Sequence, residues 1–468
     1  MRIGITLAGL AIATLSGCAA LAPDSGFDAV EKITRERIGR DLKWVQSETD
    51  RAAVDSRVAE LLKAPLTADD AVQIALLNNQ GLQAAFYELS IADSERAQAG
   101  RLPNPRLTLL RLRNGDDYKI EQTLTFNIFS WVTLPLASQL EQRRFARVQQ
   151  QVAQEVLQRA AEARRAWFLA VAAEETVNYM QQVKTAADAS RDLAARMREA
   201  GNWSRLAEAR QQSFFADAAI NLARAEEGKQ ASREKLLRLL GVVDAATLKL
   251  PTRLPDLPDK PDALPDLEKT ALTNRLDIQA ARRDLEALAK NMGLSRATRF
   301  INALEFGPAR ELEGERSTPY KTGYELSLEI PLFDWGTAKV AKAEALYLQA
   351  VSRAAEIGIN ARSEVRAAHQ AYLSRYGIVL HYRDEIVPLK KRIAAESLLR
   401  YNGMLSGSFD VLADARAQIV AVSNYVDALR DFWLAQIELD RALIGRPAEV
   451  STMMAPAMMS DTSAAAAH

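Results

Sequence analysis

Few residues in this chain are of the types that do chemistry, and where they stand narrows what chemistry is available. The single cysteine, Cys18, follows an apolar run from Ile3 to Leu15 and then Ser16-Gly17. A basic start at Arg2, a short apolar stretch and small residues form a secretory signal over residues 1–17. Leu15-Ser16-Gly17-Cys18 has the form of a bacterial lipobox, in which the cysteine is acylated and becomes the first residue of the mature chain. Ala19, rather than an aspartate, follows it, which implies sorting to the outer membrane. The competing reading, an incidental buried cysteine, sits poorly with its place directly after the run. His369 and His381 lie 12 residues apart on one helical stretch, about 18 Å, too far to share a metal. Met453-Met454, Met458-Met459 and His468 in the tail offer thioether and imidazole groups suited to Cu(I), although Ala- and Met-rich tails commonly bind nothing. Asp410 and Asp414, four residues apart, share a helix face; a helix start also favours carboxylates through its dipole alone.

No Walker A loop, His-Glu-x-x-His pair or nucleophile elbow is present, so no enzyme, catalytic residue or metal site is expected. The acyl lipid on Cys18 is the one prosthetic group foreseen. Lys and Arg number 60 against 60 Asp and Glu, which leaves no excess of positive charge for a nucleic-acid partner. One cysteine excludes a disulfide framework.

The elements that must position these residues are long. Only 21 glycines and 16 prolines punctuate 468 residues, which favours uninterrupted helices over a loop-rich enzyme. No stretch after the signal reaches 18 apolar residues, so any membrane crossing must use strands. The chain is also written twice. Ala75-Leu76-Leu77-Asn78 aligns with Ala271-Leu272-Thr273-Asn274, and Gln83-Ala84-Ala85 with Gln279-Ala280-Ala281. Leu206-Ala207-Glu208-Ala209-Arg210 aligns with Leu412-Ala413-Asp414-Ala415-Arg416, and Leu239-Leu240-Gly241 with Leu443-Ile444-Gly445. Offsets of 196, 206 and 204 keep the order, which marks a tandem duplication. Between the copies, residues 251–265 hold five prolines and read as a stiff extended connector.

Each copy predicts the same series. A helical segment (about 67–100 and 265–298) leads to two strand-like stretches and then a long helical hairpin. Apolar residues from Phe145 through Val152, Val156, Ala160, Ala163, Trp167 and Ala170 to Ala187 recur at steps near 3.5, a coiled-coil seam. Residues 137–200 as one helix would extend about 95 Å. The return helix is predicted from Arg205 to Leu240. In the second copy the run goes from Thr337 to Arg400, kinked at Pro388, and returns to Leu443. Gly201 and Gly403 end helices at the hairpin tips. Ile120, Leu124, Phe126 and Ile128 alternate with polar residues, as do Tyr324, Leu326, Leu328 and Ile330. Leu107 to Arg113 and Phe300 to Phe306 read as weaker strands, Asn114-Gly115 as a hairpin turn, and Gly307 to Gly323 as a longer surface loop. Four strands cannot close a barrel, and open edges are not tolerated in hydrocarbon, so a lipid-facing sheet requires further copies of the chain. The alternative is a small sheet capping a helical bundle.

The motifs Ala75-Leu76-Leu77-Asn78-Asn79, Asn104-Pro105 before a strand, Ile330-Pro331-Leu332-Phe333-Asp334-Trp335-Gly336, and Arg400-Tyr401-Asn402-Gly403 with Ser408-Phe409-Asp410-Val411-Leu412 together resemble the TolC-type outer-membrane factor family. The resemblance covers about residues 67–446. The implied fold is mainly α with a small β part. Tandem-duplicated long α-helical hairpins would form a periplasmic α-barrel, and four strands per chain would complete a trimeric 12-stranded transmembrane β-barrel. The implied organisation is 1–17 signal peptide, 18–66 lipidated N-terminal segment, 67–250 repeat 1, 251–265 linker, 266–446 repeat 2 and 447–468 tail. Ser130-Trp131-Val132-Thr133-Leu134-Pro135 departs from the pattern in lacking the glycine found at Gly336.

What the resemblance implies is a homotrimer in the bacterial outer membrane, lipid-anchored, serving as the exit duct of a tripartite efflux or secretion system with a periplasmic adaptor and an inner-membrane pump. By the same resemblance Asp410 and Asp414 would form acidic rings at a periplasmic gate, with Arg400 and Tyr401 as closing contacts and the adaptor or pump docking at the tips beside Gly201 and Gly403. A periplasmic adaptor and a structural coiled-coil lipoprotein without a channel are the other readings. Two hairpins and few glycines disfavour the adaptor.

Overall fold

The computed structural model describes residues 21–261, 266–297, 304–329, 333 and 335–445. The signal, Cys18, the Met-rich tail with His468, and Ile330, Pro331, Leu332 and Asp334 of one motif lie outside the described residues. Two short helices, α1 (Phe27–Ile38) and α2 (Glu48–Leu61), precede the first copy. That copy comprises α3 (Ala68–Asn78), α4 (Gln80–Ala99), β1 (Arg106–Asn114), β2 (Asp117–Asn127), α5 (Ile128–Glu199) and α6 (Arg205–Leu240). The second comprises α7 (Leu267–Asn274), α8 (Leu276–Ala297), β3 (Leu304–Glu315), β4 (Lys321–Leu328), α9 (Thr337–His381), α10 (Val387–Asn402) and α11 (Ser408–Ile444). Among the described residues no helix is long and apolar enough to cross a membrane.

The leading helix of each copy is broken in two at equivalent positions, Asn79 and Arg275, both extended (ψ 117 and ψ 128). Each break residue reaches the end of the returning hairpin helix. Asn79 accepts from the Leu82 amide (3.1 Å) and donates to the Leu239 carbonyl (2.9 Å). Asn78 donates to the carbonyls of Leu240 (3.1 Å) and Gly241 (2.8 Å). In the second copy Arg275 does the same work, donating to the Ala442 carbonyl at 3.2 Å. Last-turn carbonyls have no intrahelical partner, so these donors supply bonds the helix itself cannot. Gly241 has φ +67, and a Cβ there would sit 2.6 Å from the Asn78 carbonyl oxygen. Gly445 meets Asp277 Oδ1 at 2.8 Å in the same way. The repeated sequence motifs are therefore the two sides of one clasp, formed twice.

Arg275 is 2% exposed and is held bidentately by Asp277 (3.1 and 2.7 Å) and by Glu364 at 2.8 Å. Burial disfavours its charge, but the two carboxylates outweigh that and raise its pKa above the ordinary arginine value.

The seam read from the sequence is realised in α5, which runs 72 residues, about 108 Å. Val152, Val156, Ala160, Ala163, Trp167 and Ala170 are buried along it. The copies join through a chain of ring contacts, one stacked and the others edge-on or tilted. Trp167 meets Phe168 at 4.9 Å, Phe168 stacks on Trp433 at 5.1 Å, and Trp433, Phe432 and Tyr372 continue at 5.2 and 5.4 Å. Such pairs contribute about 0.5–1.5 kcal/mol each beyond area burial. The proline-rich connector is strapped across this junction. Its Pro255 carbonyl accepts from Trp433 Nε1 (3.1 Å), its Asp259 carbonyl from the Tyr376 hydroxyl (2.7 Å), and its Leu254 amide donates to Glu175 (2.8 Å).

Three expectations change. Gly307 to Gly323 is not a loop, because β3 extends to Glu315 and β4 begins at Lys321. Gly307 and Pro308 are strand residues at a place where a Cβ would lie 1.8 Å from the Leu124 carbonyl oxygen. Only glycine fits that approach, and Pro308 gives up a donor there. The register Thr123↔Ala309 resumes as Phe126↔Phe306 across the interruption. Second, Ile128 belongs to α5 rather than to a strand, and α5 passes through Pro135. Asn127 replaces the missing glycine by capping, accepting from the Ser130 amide at 2.8 Å. Third, the break near Pro388 is a π-helical turn, Tyr382–Ile386, with the proline at the start of α10, where its missing N–H costs least.

Strand order is β1-β2-β3-β4, antiparallel throughout, so the two copies meet in the sheet at β2 and β3.

Breaking the clasps should destabilise unequally. Asn79→Ala removes a cap and one bond to a helix end, about 2 kcal/mol. Arg275→Met strands two carboxylates, about 3–5 kcal/mol. Thermal unfolding followed by helical circular dichroism should show the larger drop in midpoint for Arg275→Met. Gly307→Ala should leave the helical signal intact while loosening the flanking β2–β3 pairs, Thr123 with Ala309 and Phe126 with Phe306, read by amide exchange.

Candidate functional site

Two regions collect the residues that could act. One is the pair of hairpin tips. Helix α5 ends at Gly201, φ +76, with the Gly201 amide bonded to the Arg198 carbonyl and the Asn202 amide to that of Met197, both 2.9 Å. This is a Schellman end with glycine at its left-handed position. The second tip differs from expectation. Gly403 has φ −82, and the left-handed residue is Met404 at φ +59. The Met404 amide reaches the Tyr401 carbonyl (2.9 Å) and the Leu405 amide that of Arg400 (2.8 Å). The turn is the same motif moved by one residue, so methionine carries the conformation that glycine would carry freely.

Asp410 is at the third position of α11 and accepts from the Gly407 amide at 3.2 Å. It caps the helix as the dipole argument allows and remains exposed. Asp414 is half-buried one turn further on. Arg400 points to Glu396 at 3.7 Å, both 65% exposed, and Tyr401 is half-buried. Among the described residues neither bonds to Asp410 or Asp414, so one chain alone brings no closing contact together. Leu412 anchors the start of α11 by packing with Val183, Ala187, Phe214 and Ala218 of the first hairpin. Arg210 lies over the Phe409 ring at 4.7 Å, and Arg416 pairs with Asp217 at 3.3 Å. The sequence reading missed the apolar character of this tip: Met404 is 94% and Leu405 81% exposed, beside Leu398, Leu399 and Phe409. Apolar residues in a turn between polar helices were the available signal.

The second region is the sheet, whose register sorts every strand residue to a face. One face carries Leu107, Leu109, Leu124, Phe126, Phe306, Tyr324, Leu326 and Leu328, and among the described residues its only charges are Arg111, Arg113 and Arg310. The other carries Asp117, Glu121, Glu305, Glu311, Glu313, Glu315 and Glu325 against Arg106, Lys119 and Lys321. Leu110 and Leu112 also fall on this acidic face, which is why β1 alternates weakly. The outer edges of β1 and β4 have no strand partner within the described residues. His381 Nδ1 lies 3.1 Å from Glu385 and His369 is half-buried. No group of three metal-ligating side chains occurs among the described residues.

No family model matches the chain. The cobalt-zinc-cadmium resistance protein CzcC of Cupriavidus metallidurans is 24% identical over 392 residues, 81% of this chain and 90% of the relative. CusC, described as forming a transmembrane channel, superposes with a TM-score of 0.69 at 17% identity, over 81% of this chain and 92% of its own. The Campylobacter jejuni CmeC outer membrane channel gives 0.69 at 17% identity over 90% and 93%, and the outer-membrane channel OprN 0.68 at 18% over 91% and 96%. These likenesses define the class by fold: the chain shares the architecture of solved outer-membrane channel chains, long helical hairpins joined to a four-stranded sheet. In that fold, and in the motifs at 75–79 and 408–412, it is similar to the TolC-type outer-membrane factors.

Met404→Gly should relieve about 1 kcal/mol of left-handed strain and Gly201→Ala should add a similar amount. Hydrogen exchange of the last-turn amides of α10 should slow in the first variant, and that of α5 should quicken in the second.

Proposed function

We propose that the protein is the outer-membrane exit duct of a tripartite efflux system, a passive gated channel made of three chains. The observation that supports this most is the four-stranded sheet itself. Among the described residues it has two unpartnered edges and one acid-free, largely apolar face, and it stands at the end of a helix about 100 Å long. Unpaired strand edges cost several kcal/mol per orphaned group in hydrocarbon. Three copies of four strands would satisfy them by closing a cylinder, with the acidic face turned to water. The helical hairpins would continue the duct through the periplasm, and the apolar tips at Met404, Leu405 and Phe409 would meet a periplasmic adaptor that couples to an inner-membrane pump. Acylated Cys18 would hold the amino terminus to the inner leaflet. No chemistry is required of such a duct.

Cargo follows from the relative and from charge. A cobalt-zinc-cadmium resistance protein among the relatives, together with seven carboxylates against three cationic groups on the wet face, favours metal cations over anionic solutes. At the far end, three copies of Asp410 would set like charges round one axis.

Heat-modifiable migration of a trimer and single-channel conductance in planar bilayers test the reading. A soluble monomer whose sheet is satisfied within one molecule would sink it. Asp410→Asn keeps an acceptor for the Gly407 amide but removes the charge. It should lower the cation-to-anion permeability ratio severalfold, measured as reversal potential in a salt gradient, and an unchanged ratio would remove Asp410 from the gate.

A further inference from the structure

Charge is divided between the sheet faces with no mixing of one kind: every carboxylate of the described strands is on the wet face, and the apolar face holds arginine alone. Those arginines are not scattered. Arg111 and Arg113 stand two residues apart on β1, about 7 Å, and the register places Arg310 two strands away, level with Leu109 through Gln122 and so about 7 Å below Arg111. All three lie on the tip side of Leu107, Leu124, Phe306, Tyr324, Leu326 and Leu328, with Leu109, Ile120 and Leu312 interleaved among them. Tyrosine rings hold them. Arg111 and Arg113 flank the Tyr118 ring at 5.6 and 5.4 Å, and Arg310 lies 4.7 Å over Tyr320. Arg113 also reaches the Gly115 carbonyl at 2.7 Å and stands 3.9 Å from the fully exposed Asp116. Among the described residues Arg111 and Arg310 form no ion pair.

We infer that Arg111, Arg113 and Arg310 form a docking surface for the phosphorylated glycolipid of the outer leaflet. The inference rests on the duct reading, which turns this face to lipid and the strand tips to the outside of the cell. A cationic group at the depth of the headgroups is stabilised by anionic lipid, and guanidinium forks match phosphate oxygens in geometry as well as charge. The aromatic rings keep the guanidinium planes at the surface, as tyrosine does at membrane interfaces. The complementarity is one-sided: no carboxylate on that face would repel the phosphates. Three chains would carry nine such arginines as a girdle above the apolar band.

The test uses the full-length protein and the R111Q/R113Q/R310Q variant. Both are placed in phosphatidylethanolamine vesicles containing either bis-phosphorylated lipid A or the same lipid with its phosphates removed. After re-extraction, mass spectrometry counts lipid A retained per chain. The wild type should retain the bis-phosphorylated lipid, and the variant about tenfold less. The wild type should retain the dephosphorylated lipid as poorly, and free inorganic phosphate should not displace the bound glycolipid. Equal retention by the variant, or of the dephosphorylated lipid by the wild type, overturns the inference. The second comparison needs no variant, so a misfolded triple substitution does not protect the idea. Conductance in the same vesicles separates the two claims. A wild type that inserts and conducts but ignores the phosphates ends this inference alone, whereas one that never inserts ends the duct reading and this inference with it.

Discussion

The geometry of the molecule depends on a hydrogen bond between a helix break and a helix end. Asn79 and Arg275 each interrupt a leading helix and donate to a carbonyl at the foot of the returning hairpin helix, at Leu239 and at Ala442. Gly241 and Gly445 leave out the Cβ that would collide, at Gly241 with the Asn78 backbone carbonyl and at Gly445 with the Asp277 carboxylate. The returning helices, 36 and 37 residues or about 55 Å long, magnify any error at their foot: one degree displaces the far end by about 1 Å. Any constriction made by tips must therefore be set at the clasp. The chain of aromatic contacts from Trp167 to Tyr372, and the connector strapped over it, extend that rigidity across the two copies.

The two copies solve the same problem with different chemistry. Asn79 is a neutral amide that caps and clasps with one side chain. Arg275 needs Asp277 and Glu364 to remain charged while buried, so a single bond becomes a network. A similar asymmetry recurs at the strand-to-helix transitions, where Gly336 is left-handed at φ +69 and Asn127 uses its side chain.

Much of this was legible in the sequence, because repeats, seams and helix stops are local or periodic signals. Gly201 marks a stop on its own, α6 spans Arg205–Leu240 as the pattern predicts, and α11 ends at Ile444, one residue past the expected Leu443. Gly307-Pro308 misled because those residues ordinarily signal a turn. Their meaning here comes from a neighbour far along the chain, the Leu124 carbonyl, which no local pattern reveals. At the tip, residue type identified Asp410 as acidic at a helix start but could not separate a cap from a gate, since both ask for the same carboxylate in the same place. The face assignment of the arginines was also out of reach: alternation gave each strand a parity, but only the register between strands aligned those parities into one surface.

The π-helical turn at Tyr382–Ile386 bears on how such a wall can change length. Each residue added to a packed helix swings everything beyond it through about 100°, which would turn an apolar stripe outward. A widened turn takes up one surplus residue within itself and restores phase on the far side. Lineages of this architecture can therefore lengthen one hairpin by single residues without remaking its partners, and the scar left by each step would be a local bulge rather than a rewritten interface.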